Sequence, residues 1–66
     1  MGVTLFQVSH DFYHGVVNHT TVYIVIKSSV WGNRWRAFTH PHRVFITDTD
    51  TIAEMHKYLD ELEKQV

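Results

Sequence analysis

The segment Trp31-Gly32-Asn33-Arg34 constrains the fold of this chain more than any other feature. Glycine followed by asparagine is typical of the two-residue turns that close β-hairpins. Such a turn fixes which residues face each other on the two flanking strands, and this register sorts the side chains onto two faces. With Gly32-Asn33 as the loop, Trp31 is predicted to lie opposite Arg34.

The predicted register gives one mostly apolar face and one aromatic and basic face. The apolar face comprises Val22, Ile24, Ile26, Ser28, Val30, Trp35, Ala37 and Thr39. The aromatic and basic face is the predicted binding surface and comprises Tyr23, Lys27, Trp31, Arg34, Arg36, Phe38, His40 and His42. Trp35 is aromatic too, but the register directs it toward the core.

Three strands are predicted before the end of the chain. The first runs from Val3 to about Tyr13, the second over residues 20–27, and the third from Arg34 to about Thr39, with a resumption at residues 43–46 beyond Pro41. Phe6, Val8 and Phe12 recur with the period of a strand. These three residues lie on the apolar face if the loop of the first hairpin has an odd number of residues, as a loop over residues 15–17 would have.

The end of the chain changes to helical spacing. The apolar stripe consists of Ile52, Met55, Leu59, Leu62 and Val66. Thr51 and Glu54 have the spacing of a capping box, which marks the start of the helix. The sequence therefore predicts one α+β domain over residues 1–66, in which a three-stranded antiparallel meander is covered on one face by a C-terminal amphipathic helix (βββα).

Size and composition limit the function classes. A chain of 66 residues buries only about 60% of its unfolded-state surface, so self-association is an expected source of additional stability. The absence of cysteine excludes disulfides and thiolate metal sites. No apolar run reaches membrane-spanning length, and we expect a cytoplasmic protein without membrane contact.

Charge is distributed unevenly along the chain. Residues 1–45 carry four basic residues and one acidic residue, whereas residues 46–66 carry two basic and six acidic residues. The aromatic and basic face could stack on single-stranded nucleic acid or nucleotides. The sequence pI of 6.6 and the acidic helix instead favour a protein interface, with a second copy or with another protein. A third alternative is that the side chains of this face only stabilise the sheet and bind no partner.

Catalytic and metal-binding patterns are weak. Ser9-His10-Asp11 has the residue types of a triad, but neighbouring residues of a strand point to opposite faces. The six histidines include His40 and His42, which would share one side of an extended segment, yet no known metal-ligand motif is present. The sequence predicts no enzyme, no cofactor and no metal site.

Part of the chain resembles a known family. Phe45-Ile-Thr-Asp48, Ala53 and the run 58–63 resemble the end of the small N-terminal arm-binding domains of phage-type integrases, over about a third of the chain. That resemblance implies DNA contacts through Arg34, Arg36 and Arg43. The chain lacks the dense lysines of the family and a catalytic domain. Its layout is equally similar to small phage-encoded inhibitors that block a host protein, and we assign it to neither group.

The first functional hypothesis is a non-enzymatic protein-interaction module, expected to be dimeric, that acts as a viral-type inhibitor or adaptor through the predicted binding surface. Its expected anchors are Trp31, Phe38, Tyr23 and Trp35, although the register directs Trp35 toward the core. Arg34 and Arg36 are expected to contact the partner beside these anchors. The second hypothesis is binding of nucleic acid or a nucleotide through the same surface.

Overall fold

The computed structural model describes residues 2–64 and shows an α+β fold with five strands rather than three. The antiparallel meander has the order β1-β2-β3-β4-β5 and is followed by a single helix, α1, within this part of the chain. The elements are β1 (Thr4–Ser9), β2 (Phe12–Val17), β3 (Thr20–Ser28), β4 (Arg34–Thr39), β5 (Phe45–Thr49) and α1 (Ile52–Lys64).

The C-terminal helix forms as predicted. The Thr51 hydroxyl accepts a hydrogen bond from the backbone N–H of Glu54 at 3.1 Å, and the Thr51 carbonyl accepts one from Met55. Thr51 is therefore the N-cap, which satisfies one of the free N–H groups of the first turn. The predicted stripe residue Val66 lies outside the described residues.

The helix packs on β4 and β5 and closes the core on one face of the sheet. Met55 and Leu59 are fully buried there, and burial of each such side chain contributes about 1.5–3 kcal/mol. The buried core consists of Val3, Tyr23, Val25, Trp35, Ala37, Met55 and Leu59. We call the face of the sheet that packs against α1 the covered face, and the opposite side the open face.

The prediction of a single strand from Val3 to Tyr13 is wrong, because this stretch forms part of a tight hairpin. Ser9 pairs with Phe12, so only His10 and Asp11 form the turn. A second two-residue turn follows at Asn18-His19, where φ is 52° and 65°. Left-handed residues at both turn positions match the twist of a β-hairpin.

The predicted odd loop at residues 15–17 is also wrong, because these residues lie inside β2. A Cβ built on Gly15 would lie 2.8 Å from the Cβ of Tyr23, so glycine is needed for this close approach of β2 and β3. Phe6 pairs with His14, and Phe12 pairs with Ile26. Phe6 and Phe12 therefore lie on the open face and not on the covered face.

The predicted register of the central hairpin is wrong as well. Ser28 pairs with Arg34, and residues 29–33 form the loop. The Ser28 hydroxyl accepts a hydrogen bond from the backbone N–H of Val30 at the start of a short 3-10 turn. Gly32 and Asn33, with φ of 66° and 60°, end this longer loop instead of forming the whole of it.

Within the central hairpin, the observed register changes the face assignment of β3 and leaves that of β4 unchanged. Relative to the predicted pairing, β3 is shifted by an odd number of residues, so its alternating side chains exchange faces. Tyr23 and Val25 enter the core, and Ile24 and Ile26 move to the open face. The face assignment within β4 is correct, because Trp35 and Ala37 are buried in the core.

Candidate functional site

The corrected register divides the predicted binding surface into three groups. Trp31, Arg36 and Phe38 lie together on the open face. Arg34 lies on the same face, at the start of β4. Tyr23 and Lys27 lie on the covered face, so their placement on the binding surface was wrong. The Lys27 ammonium stands over the Trp35 ring at 5.6 Å from its centroid.

His40 and His42 form the third group. They are exposed in the loop between β4 and β5 and are not in a strand. The loop is closed by two backbone hydrogen bonds, one from Arg43 to Thr39 at 2.7 Å and one from Thr39 to Val44 at 2.9 Å. The extended geometry expected to align the two imidazoles is therefore absent from this loop.

The residues brought together on the open face form a cluster of aromatic rings around one arginine. The Arg36 guanidinium carbon lies 4.5 Å from the centroid of Trp31 and 5.7 Å from that of Phe45. Phe38 joins both rings, with centroid separations of 6.3 Å to Trp31 and 5.9 Å to Phe45. We call Trp31, Arg36, Phe38 and Phe45 the aromatic cluster.

Arg36 differs from its neighbour Arg34 in how its charge is compensated. Arg34 contacts both oxygens of Asp48 at 3.3 Å and also pairs with Asp50, and the hydrogen bonding with Asp48 raises the pKa of Arg34. Arg36 has no carboxylate within ion-pair distance among residues 2–64, and its buried Nε has no acceptor there. The positive charge of Arg36 is held by aromatic rings instead.

Beside the aromatic cluster the open face carries a shallow groove of about 160 Å³. It is lined by Ile24 and Ile26 of β3, Trp31 and Phe38, and Arg43. Arg43 has a left-handed backbone with φ of 57°, which is costly for a residue with a β-carbon. The loop thus holds a strained arginine at the margin of an apolar groove.

Sequence reasoning missed Ile24, Ile26 and Phe45 as parts of this surface. The two isoleucines alternate with Tyr23 and Val25, so the sequence indicates that the two pairs lie on opposite faces. Because β3 is apolar on both sides, the sequence does not indicate which pair faces the core. Phe45 was placed in a resumed third strand. It instead begins β5, which pairs with β4 and brings Phe45 opposite Phe38.

No family model, curated protein or solved structure matches the chain. The likeness to integrase arm-binding domains thus stays a resemblance in a third of the sequence. Among residues 2–64 no helix is long and apolar enough to cross a membrane, and no three His, Cys, Asp or Glu side chains come together as metal ligands would. The open face, with its aromatic cluster and groove, is the candidate functional surface.

Proposed function

We propose that this chain is a small non-enzymatic protein-binding module whose open face contacts a partner protein. The partner presents a large apolar side chain to the groove and carboxylates to the arginines around it. Such a module acts by covering a surface of its partner or by tethering it, as an inhibitor or adaptor does.

The observation that carries this proposal is the aromatic cluster beside an apolar groove on a sheet face that α1 does not cover. Phe45 remains 52% exposed although it contacts Phe38, and two isoleucines of β3 are among the residues that line the groove. Small-molecule sites generally occupy about 300–1,000 Å³. A groove of about 160 Å³ is better matched to a single anchoring side chain of a protein.

Electrostatics favours a protein partner over nucleic acid. Asp48 and Asp50 compensate Arg34, and Lys27 lies on the covered face, which leaves Arg36 and Arg43 as the cations beside the groove. Binding through phosphates draws on many cations and weakens steeply with salt. Two arginines flanking apolar side chains are instead typical of protein interfaces, where arginine and aromatic residues carry much of the binding energy.

The proposal is tested by isolating, after nuclease treatment, the protein that the tagged chain retains from its native host, and by measuring its affinity with purified components. We expect Trp31→Ala and Arg43→Asn each to weaken binding by about tenfold or more, because they remove an aromatic anchor and a cation. Asparagine tolerates the left-handed backbone of residue 43, so the second variant keeps the fold.

The matched control is Tyr58→Ala, which removes an aromatic side chain that is 41% exposed on α1. It should bind as the wild type does. Equal losses in Tyr58→Ala and Trp31→Ala would contradict an interface on the open face. Capture of nucleic acid alone, with an affinity that collapses between ~50 and 200 mM salt, would support the alternative function instead.

A further inference from the structure

The sheet has two edges, and β1 forms the unprotected one. Its residues Thr4–Ser9 include neither a charged residue nor a proline. Phe6 and Val8 on this strand are 57% and 59% exposed. Natural edge strands generally carry charges, prolines or covering segments, because free backbone N–H and C=O groups otherwise pair with another strand.

The opposite edge, β5, has the protection that β1 lacks. It carries Asp48, which is bound to Arg34, and Asp50 follows directly after it. The helix α1 packs against this strand. A register shift does not distinguish the two edges, because β1 has one after Gln7 and β5 has one next to Phe45.

An added strand would therefore meet charges and the helix along β5. At β1 it would meet apolar side chains, because within residues 2–64 the helix contacts the backbone only before the strand begins, where Asp60 and His56 hydrogen-bond to Val3.

We propose that β1 pairs antiparallel with β1 of a second copy of this chain, which gives a dimer with one continuous ten-stranded sheet. An uncharged strand is complementary to itself, whereas a charged foreign strand would gain no ion pair from it. Because β5 is protected, pairing stops after two copies. The result is a closed twofold dimer and not a filament.

The twofold axis determines which residues meet. Antiparallel strands related by an axis perpendicular to the sheet place identical faces on the same side. The proposed register is centred on the exposed Phe6, which pairs Leu5 with Gln7 of the partner subunit and ends before the irregularity of β1 after Gln7. Phe6 then faces Phe6 of the partner subunit on the open face, where aromatic cross-strand pairs add stability.

This dimer does not rest on the proposed function, and it relocates the self-association expected from the sequence from the aromatic and basic face to the sheet edge. Both open faces remain uncovered and lie on the same side of the joined sheet. A dimer therefore presents two grooves to a partner, and the two helices lie together on the other side.

The first test is the molecular mass in solution over a wide range of protein concentrations. The wild type should shift from monomer to dimer as concentration rises. Val8→Lys should weaken this association by about tenfold or more, because a lysine on an edge strand opposes strand pairing. Val44→Lys is the matched control, since Val44 is 60% exposed but lies outside β1, and it should dimerise normally.

The second test uses the absence of native cysteines. Phe6→Cys should form an intermolecular disulfide roughly tenfold faster than Phe45→Cys, because pairing of β1 strands raises the local concentration of the two thiols. The control position is equivalent in side chain and exposure, since Phe45 is 52% exposed on the other edge strand.

A wild type that stays monomeric at every concentration would overturn the proposal, as would equal disulfide rates for the two cysteine variants. A dimer that survives Val8→Lys but is lost in Trp31→Ala would place self-association on the open face. The proposed function is distinguished by its own readout. Monomeric Val8→Lys should still bind the partner protein, whereas Trp31→Ala should still dimerise.

Discussion

At the scale of single residues, Tyr23 is predicted to contact a partner but lies in the core, where it stabilises the fold. It is 9% exposed, and its hydroxyl donates a hydrogen bond to the carboxylate of Glu63 in the last turns of α1. Burial, together with this hydrogen bond, raises the pKa of Tyr23 to about 12. The phenol thus links the middle of the sheet to the end of the helix.

The Tyr23 hydroxyl leads to a prediction about alkaline stability. Its pKa is about 10 in the unfolded chain and about 12 in the fold, so its contribution is fully present below pH 10 and is lost as pH rises to about 12. Urea unfolding over this range should show a smaller decline for Tyr23→Phe than for the wild type. Tyr58→Phe, which retains Tyr23, should decline as the wild type does; parallel declines in all three proteins would contradict the assignment.

At the scale of elements, the helix was predictable because its signals are local. The apolar stripe and Thr51 act within a few residues, and the structure contains both the helix and its cap. The loop at residues 29–33 was not predictable from Gly32-Asn33 alone. Its length depends on Ser28, whose hydroxyl stabilises an extra turn, and the apolar residues on both sides of β3 fit either register.

In the candidate site, too, some residues could be placed from local sequence patterns and others only from pairing between strands. Alternation within β4 is sufficient to place Arg36 and Phe38 on one surface. Trp31 lies on that surface too, but the predicted pairing with Arg34 that assigned it there does not form. Ile24 and Phe45 reach that surface only through pairing with Phe38 on two neighbouring strands. A period-two pattern indicates which residues of one strand share a face, but it does not indicate which strand edges meet.

The N-cap gives a prediction at the scale of the helix. Thr51→Ala removes the hydroxyl that accepts the Glu54 N–H, so we expect the free energy of unfolding to fall by about 1 kcal/mol. Thr51→Ser retains the acceptor and should stay within a few tenths of a kcal/mol of the wild type. Thermal unfolding followed by circular dichroism measures both variants. An equal loss in the serine variant would show that the methyl group matters and the cap does not.

At the scale of the whole molecule, one short helix supplies the entire cover of the described sheet. Met55 and Leu59 close the core, while the open face has no second layer. A chain of 66 residues is expected to draw only about 3–5 kcal/mol from its core. Pairing of two copies through β1 would add to this value by an amount that grows with the logarithm of protein concentration.

The dependence of the fold on its single helix is tested by Leu59→Ala. Truncation of a fully buried leucine costs about 2–5 kcal/mol, which is comparable to the whole expected stability of the monomer. We therefore expect the variant to be largely unfolded at low concentration by circular dichroism and by the loss of dispersed amide resonances. Tyr58→Ala, at the adjacent and exposed position, should keep the native spectrum. A native spectrum for Leu59→Ala would contradict this dependence, because it would mean that the helix stays packed on the sheet without the Leu59 side chain.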